Sequence, residues 1–334
     1  MHAIADVIGN YSAVISKDRR LLIVLVTDES GDDGAYVEEA HQAAMSHGVP
    51  VYVIGRQSLF GYHRVRIQYI DPVTKDEFWP EIRRGPETAD LEVLQWDGLH
   101  DRWDEQPSGF APYELARIAK DTGGIYFLLP SEENLRLTKR EKAYSITAMK
   151  ELVPDYSSRV DYFKKRQSSD LRRSMHEIIN MTKGYSFRLG FSVNLDEMAV
   201  EGKEAIEAAT GRLNGLLVLE KQLRGLSRLR DRETDKRWQA NYDLLLAQVV
   251  AYQVKAFEYR ACVQEMLAKK PKPKAVPVPG KLDVWWAYGH SRTPKAPKED
   301  TAKKYAEAER LFKEVIERYP NTPWADLAQD ELNR

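Results

Sequence analysis

The chain has 334 residues, a length that suggests two or three domains, and its 43% hydrophobic and 30% charged residues indicate a globular protein. Fifty basic and fifty-one acidic side chains leave a net charge of -1, so charge favours neither nucleic acid nor an anionic membrane as a partner. The single cysteine, Cys262, excludes an intramolecular disulfide and a thiolate metal cluster, and we expect it to be a small buried residue.

The longest strongly apolar run, Leu21 to Val26, is far shorter than the roughly 20 residues that cross a bilayer, so no membrane span is predicted. The run contains no polar residue, which is typical of a strand that is covered on both faces. We therefore predict that it forms a central strand of a parallel sheet.

The first 130 residues alternate between helical and strand-like patterns around this strand. Helical spacing occurs over residues 1–16, 36–45 and 112–121, and strand-like runs occur over residues 21–26, 51–54 and 125–129. A strand, a helix and a second strand in this order imply a right-handed crossover and parallel pairing. Residues 56–110 have no regular period, and we predict an insertion with a hairpin whose turn lies at Asp71 to Lys75.

The helical period dominates beyond residue 130. Helices are predicted near residues 139–153, 168–183, 195–229 and 231–269, with a last pair over residues 300–319 and 322–333. Prolines and lysines between the two groups indicate a solvated linker, interrupted by an apolar patch at Trp285 and Trp286. The predicted domains are an α/β domain at 1–130 with its insertion at 56–110, a helical region at 131–268, the linker at 269–299 and a helical pair at 300–334.

The predicted fold class is therefore α/β, a partial Rossmann-like parallel sheet, followed by an all-α helical region and a helical-repeat hairpin. Three stretches of the α/β part carry a family resemblance: Leu21 to Asp33, Val49 to Gly55 and Leu115 to Tyr126. In this order they resemble the second half of a von Willebrand factor A domain. In that family an aspartate after the fourth strand helps to bind Mg²⁺, whose open position takes a carboxylate from a partner protein, and Asp28 matches that aspartate.

The first half of that family's pattern is not found upstream of Asp28. The Asp-x-Ser-x-Ser motif and the loop threonine, which supply most of the ion's ligands, have no counterpart there. The resemblance thus implies an incomplete metal ion-dependent adhesion site, with Asp28 as its only ligand and Mg²⁺ bound only if the missing half is supplied. Either the chain is part of a longer protein, or another chain supplies the missing strands and pairs with the exposed edge of the strand at residues 21–27.

The C-terminal residues carry a second resemblance. The pattern from Tyr305 to Ala328, with small residues in both helices and Pro320 between them, resembles one tetratricopeptide repeat of the bacterial envelope type. A single repeat cannot bury both of its faces. We therefore expect either that this pair packs on the preceding helices or that the array continues beyond residue 334.

The acidic loop at residues 28–33 also has a purely structural interpretation. In that interpretation Asp28 ends a strand, and Asp32 or Asp33 caps the helix that follows by accepting from its free backbone amides. The tryptophans are expected to pack rather than to line a groove. Scattered histidines and glycine pairs indicate neither a zinc site nor a phosphate-binding loop.

Because both families bind proteins, the resemblances imply a non-enzymatic protein-binding or scaffold protein with protein partners. The alternative from another class is a metal-assisted hydrolase, or a regulatory subunit of an enzyme complex, that uses the carboxylates of the acidic loop: Asp28, Glu29, Asp32 and Asp33. No positioned nucleophile or base accompanies them in the sequence. The chain as it stands is compatible with the cytoplasm, and a longer N-terminus with a signal or anchor would place it in the bacterial cell envelope.

Overall fold

The computed structural model describes residues 1–16, 18–31, 33–102, 104–129, 144–271, 285–287 and 294–333, with the backbone alone at 285–287. The helices are α1 (His2–Tyr11), α2 (Val37–Ser46), α3 (Tyr113–Asp121), α4 (Ile146–Met149), α5 (Arg159–Ser168), α6 (Asp170–Met181), α7 (Leu195–Gly225), α8 (Ser227–Arg232), α9 (Lys236–Lys269), α10 (Lys298–Arg318) and α11 (Pro323–Leu332). The strands are β1 (Ile23–Thr27), β2 (Val51–Gly55), β3 (Arg64–Arg66), β4 (Tyr69–Ile70), β5 (Glu77–Phe78), β6 (Glu81–Arg83), β7 (Tyr126–Leu128), β8 (Gly190–Ser192) and β9 (Trp285–Ala287).

Residues 1–55 and 111–129, which we call the α/β unit, form a three-stranded parallel sheet in the order β1-β2-β7 with helices α1 to α3. An α/β beginning followed by helices is thus confirmed. The prediction that residues 21–26 form the central strand is wrong, because among the described strands β2 occupies the centre and β1 pairs with β2 alone. An apolar run shows that a strand is apolar on both sides, but it does not show how many neighbours pair with it.

The core of the α/β unit lies on one face of its sheet. Ile4 and Ile8 of α1, Ala40 of α2 and Ile118 of α3 are buried against Val53 of the central strand. These residues recur at helical spacing, so each helix presents one apolar stripe to the same face of the sheet. The three helices therefore cover one face only.

The insertion contains the predicted hairpin. Strand β3 pairs with β6 and β4 pairs with β5, both antiparallel, around a turn at residues 71–75. Asp71 stabilises this turn by accepting from the backbone N–H groups of Val73 and Thr74 at 2.7 and 2.8 Å. Further along, Phe60 and Trp96 are buried in the core of the helices rather than in that of the α/β unit. The insertion thus packs on the helical part of the molecule.

The long helices α7 and α9 pack along each other, α10 packs on α9, and α11 packs on both α10 and α9. We call the helices α4 to α11 the helical body. The C-terminal pair packs on the preceding helices, which is the first of the two expectations. Phe312 and Trp324 are buried in the shared core. Buried Trp96 and Trp324 follow the expectation that tryptophans pack.

Several local predictions need correction. Cys262 is only half-buried. Within residues 144–153 the helix is limited to α4, and the region around residue 226 divides α7 from the short helix α8. The expected linker contains a strand, since residues 285–287 pair with β8. Residues 272–284, which include most of the lysine-proline segment, lie outside the described residues.

Among the described residues, no helix combines the length and the apolar character that crossing a membrane requires.

Candidate functional site

The acidic loop begins where β1 ends, at the carboxyl edge of the sheet. Thr27 orders its start, because its hydroxyl accepts from the Glu29 N–H at 3.2 Å and donates to the Glu29 carbonyl at the same distance. The backbone N–H of Ser30 then donates to the carbonyl of Arg83 in β6 at 2.9 Å. The loop is thereby held against the insertion, while the side chain of Asp28 remains exposed.

The described part of this loop does not assemble a divalent-cation site. Mg²⁺ takes near-octahedral oxygen ligands and is held by one or more carboxylates together with other oxygen donors. Asp28 is exposed, and among the described residues no group of three or more His, Cys, Asp or Glu side chains could hold a metal ion. Asp32 lies outside the described residues. The role of Asp28 as a ligand therefore stays a prediction.

Asp33 has a different partner from the one expected. The prediction was that Asp32 or Asp33 caps the following helix, and for Asp33 it is wrong, because its side chain makes no capping hydrogen bond to the helical turn that begins at Gly34. Its carboxylate instead accepts from the amino group of Met1 at 2.6 Å and from the His2 N–H at 2.7 Å, at the start of α1. Burial opposes ionisation, yet these hydrogen bonds hold the pKa of Asp33 below its usual value. The carboxylate is thus engaged in joining the loop to α1.

A buried carboxyl lies beside the loop at the same edge of the sheet. Glu114 of α3 is close to Gly34, where a side chain would approach the Glu114 carboxylate to 2.9 Å. Burial raises the pKa of Glu114, although Arg159 of α5 donates to its carboxylate at 2.5 Å. Arg159 also donates to the carbonyl of Ala89 in the insertion. This arrangement joins the α/β unit, the insertion and the helical body, and it leaves Glu114 enclosed by protein groups.

A buried ion cluster joins the insertion to the helical body. Arg237 of α9, with only 2% of its side chain exposed, donates to Glu87 and to Glu92 at 2.6 Å each. Tyr162 and Asn241 donate to Glu92 at 2.8 and 3.1 Å, so that carboxylate has three partners. The cluster is fully enclosed, and its chemistry is that of a structural ion pair.

The cluster also reaches the C-terminal helices. Trp324 of α11 donates from its indole nitrogen to the Asn241 side chain at 2.8 Å, and the Arg237 guanidinium lies 5.0 Å from the Trp324 ring centroid. Sequence reasoning missed this cluster, because its charged residues lie about 145–150 positions apart along the chain. The three segments that it joins are thereby fixed relative to one another.

In the described part of the structure, the second face of the parallel sheet is largely exposed. Register places Val26, Ile54 and Phe127 in one row across the three strands, and Val24 beside Tyr52 in the next row. We call this surface the open face. Its residues, all apolar or aromatic, are Leu22, Val24, Val26, Tyr52, Ile54, Ile125, Phe127 and Leu129.

The open face is accessible to solvent. Val26 is 70% exposed, Ile125 is 52% exposed and Phe127 is 48% exposed, because the helices α1 to α3 pack on the opposite face. Strand β1 adds a second unpartnered feature, since among the described strands it pairs with β2 alone. Both faces of a parallel sheet are normally covered, and edges are normally blocked. The open face and the edge of β1 together therefore form the candidate binding site.

Comparison with known proteins finds no match to this chain: no family model, no curated protein and no solved structure matches it. The resemblances to a von Willebrand factor A domain and to a tetratricopeptide repeat thus stay predictions, carried by the residues quoted above.

Proposed function

We propose that the protein is a non-enzymatic binding or scaffold protein whose open face binds a partner protein. The observation that carries this proposal is the contiguous apolar surface on a three-stranded parallel sheet whose described helices lie on the other side. Because helices cover the faces of parallel sheets, the partner is one that presents the apolar stripe of an amphipathic helix. The resemblance to two protein-binding families supports the same conclusion.

The magnitudes indicate how much binding the open face can supply. Full burial of one large apolar side chain contributes about 1.5–3 kcal/mol. Covering the six more exposed side chains, which are each about half exposed, then contributes roughly 5–10 kcal/mol. That gain is of the same order as the cost of association, about 4–15 kcal/mol. A stable complex therefore needs further contacts, and the edge of β1 is the adjoining surface that can provide them.

The rest of the molecule provides the scaffold in this proposal. The buried cluster of Arg237, Glu87 and Glu92 holds the insertion to α9, and Arg159 joins α5 to Glu114 of the α/β unit. These contacts support a fixed presentation of the open face relative to the helical body.

Site-specific crosslinking tests the proposal. A photoreactive amino acid at position 26 of the full chain, in the cells that produce it, is expected to give a discrete adduct with a second protein. The same amino acid at Lys164, an exposed position on α5 far along the chain, serves as the control. Phe127→Asp should abolish the adduct, whereas Asp28→Ala should leave it unchanged. Absence of an adduct with another protein at position 26, or such an adduct that survives Phe127→Asp, would contradict the proposal.

A further inference from the structure

The free edge of β1 presents backbone groups from alternate residues. The N–H of Ile23 donates to the carbonyl of Pro50 at 3.0 Å, so Ile23, Leu25 and Thr27 direct their backbone groups toward β2. The N–H and C=O groups of Val24 and Val26 therefore lie on the opposite side, at the free edge. No proline or charged residue interrupts the strand between residues 21 and 27, so the usual protections of an edge are missing there.

The charges at the two ends of β1 are opposite in sign. Arg19 and Arg20 precede the strand and are exposed, and Asp28 and Glu29 follow it. A tight turn in which Ser16 and Arg19 exchange backbone hydrogen bonds of 3.0 and 3.3 Å sets the arginines at the start of the strand. Within the described residues, Arg19, Arg20 and Asp28 make no ion pair. The strand is thus apolar in the middle, positive at one end and negative at the other.

We propose that the edge of β1 pairs antiparallel with β1 of a second copy of this chain, centred on Val24. In this register Arg20, which precedes the strand of one copy, lies at the same end of the paired strands as Asp28, which follows the strand of the second copy. Leu22 then faces Val26 of the second copy, and Val24 faces its own counterpart at the two-fold axis. The outward backbone groups of Leu22, Val24 and Val26 form the intermolecular hydrogen bonds, which is the pattern of directly opposed pairs in an antiparallel ladder.

Charge complementarity favours antiparallel over parallel pairing of the two copies. Parallel pairing of two copies in register would place Arg20 beside Arg20 and Asp28 beside Asp28, which is unfavourable. The antiparallel arrangement brings Arg20 and Asp28 of the two copies together, and its two-fold symmetry makes the interface self-complementary, so association stops at the dimer. An antiparallel strand at the edge of a parallel sheet is a common arrangement.

The dimer has a consequence for the open face. Opposed residues of paired strands project to the same side of a sheet, so the open faces of the two copies join across the axis. The result is a six-stranded sheet with one continuous apolar face. The inference deepens the proposed function and rests on it for the use of the open face. The second copy pairs with the edge of β1, and the partner protein binds the open face.

Charge reversal with mixing tests the interface. Two variants of the full chain are compared by sedimentation, one carrying Arg20→Glu and the other carrying Asp28→Arg. We expect the wild type to be a dimer and each variant alone to self-associate at least about tenfold more weakly, because two ion pairs become repulsive. An equimolar mixture of the two variants should recover the dimer, since each then opposes its complement.

Recovery in the mixture also shows that both variants are folded. A monomeric wild type, variants that dimerise normally, or a mixture that stays monomeric at concentrations where the wild type is dimeric would each overturn the inference.

Disulfide trapping tests the register. In a Cys262→Ser background, Val24→Cys is expected to form a disulfide-linked dimer, because opposed Cα atoms of a hydrogen-bonded pair lie about 5.5 Å apart. Leu22→Cys is the matched control, since its two copies would lie about 14 Å apart along the antiparallel strands. Equal trapping at both positions, or none at Val24, would contradict the register.

Failure of this dimer is distinguishable from failure of the proposed function. The photoreactive amino acid at position 26 gives an adduct of twice the chain mass with a second copy and an adduct of another mass with a partner protein. The self-adduct alone supports the dimer and counts against the partner, and the partner adduct alone counts against the dimer.

Discussion

The helical body buries its apolar side chains on all sides of its core, whereas the α/β unit buries them on one face of its sheet. In the helical body α9 is enclosed by α7, α10, α11 and the insertion, and even the charges of Arg237 and Glu87 are buried and paired. In the α/β unit Val53 is fully buried, but Val26, in the neighbouring row of the sheet, is 70% exposed. The long helices thus enclose a core between them, while the α/β unit leaves a contiguous apolar surface for other molecules.

The largest expected effect comes from breaking the buried ion cluster. Arg237→Met removes the cation that bridges Glu87 and Glu92 and leaves both carboxylates buried, so the free energy of unfolding should fall by about 3–5 kcal/mol. Chemical denaturation measures this change. Lys313→Met, in the exposed pair with Glu309, is the control and should cost at most about 1 kcal/mol. Equal losses in the two variants would show that the cluster does not hold the helical body together.

The next effect distinguishes the covered face of the sheet from the open face. Ile8→Ala, at a buried position of α1, should lower the free energy of unfolding by about 2–5 kcal/mol, because it opens a cavity against the covered face. Val26→Ala, on the open face, should change it by no more than about 0.5 kcal/mol. The two variants are compared by chemical denaturation of dilute protein, because association is weak at low concentration. A large loss in Val26→Ala under those conditions would mean that the open face is covered within a single chain.

The smallest expected effect is on the acid sensitivity of the folding stability, at the contacts between α10 and α7. Glu220 accepts from Lys304 of α10 and from Gln253 of α9 at 2.5 and 2.7 Å. Burial opposes ionisation, but these hydrogen bonds and that from Arg224 hold the pKa of Glu220 below its ordinary value of 4.5.

A carboxyl group whose pKa is lower in the folded state stabilises the fold above its unfolded pKa, and that contribution is lost as the pH falls. The wild type should therefore lose more stability than Glu220→Gln between about pH 5 and pH 3. Glu309→Gln, on the exposed side of α10, should follow the wild type. Identical acid profiles for the wild type and Glu220→Gln would refute the prediction.

Local patterns predicted the elements better than they predicted their neighbours. The helical periods placed α9, α10 and α11 close to their observed bounds, and the turn at residues 71–75 was predicted from polar residues that hydrogen bond locally. The predicted position of β1 in the sheet was wrong, because an apolar strand has the same sequence pattern whether one or two strands pair with it. Strands β8 and β9 were missed, since three-residue strands about 95 positions apart carry no local signal.

The candidate site was predicted only in part. Asp28 and the unpaired edge at residues 21–27 were predicted from the sequence, and the structure has an edge strand there with Asp28 exposed beyond it. The open face was not predicted, because the same alternating apolar residues would be present if a helix covered them. Asp32 or Asp33 was expected to cap the nearest helix along the chain, yet the Asp33 carboxylate accepts from the His2 N–H at the start of α1, 31 positions away.

By itself the sequence determined the order of β1, β2, β7 and the long helices, the apolar and polar sides of those helices, and the opposite charges at the two ends of β1. These properties depend on residues a few positions apart, and their physics is that of backbone geometry and local burial. Only the tertiary structure decided that the insertion packs on the helical body, that Arg237 lies between two buried glutamates, and that one face of the sheet is open. Such features depend on which distant surfaces meet, and no local pattern encodes the distance between them.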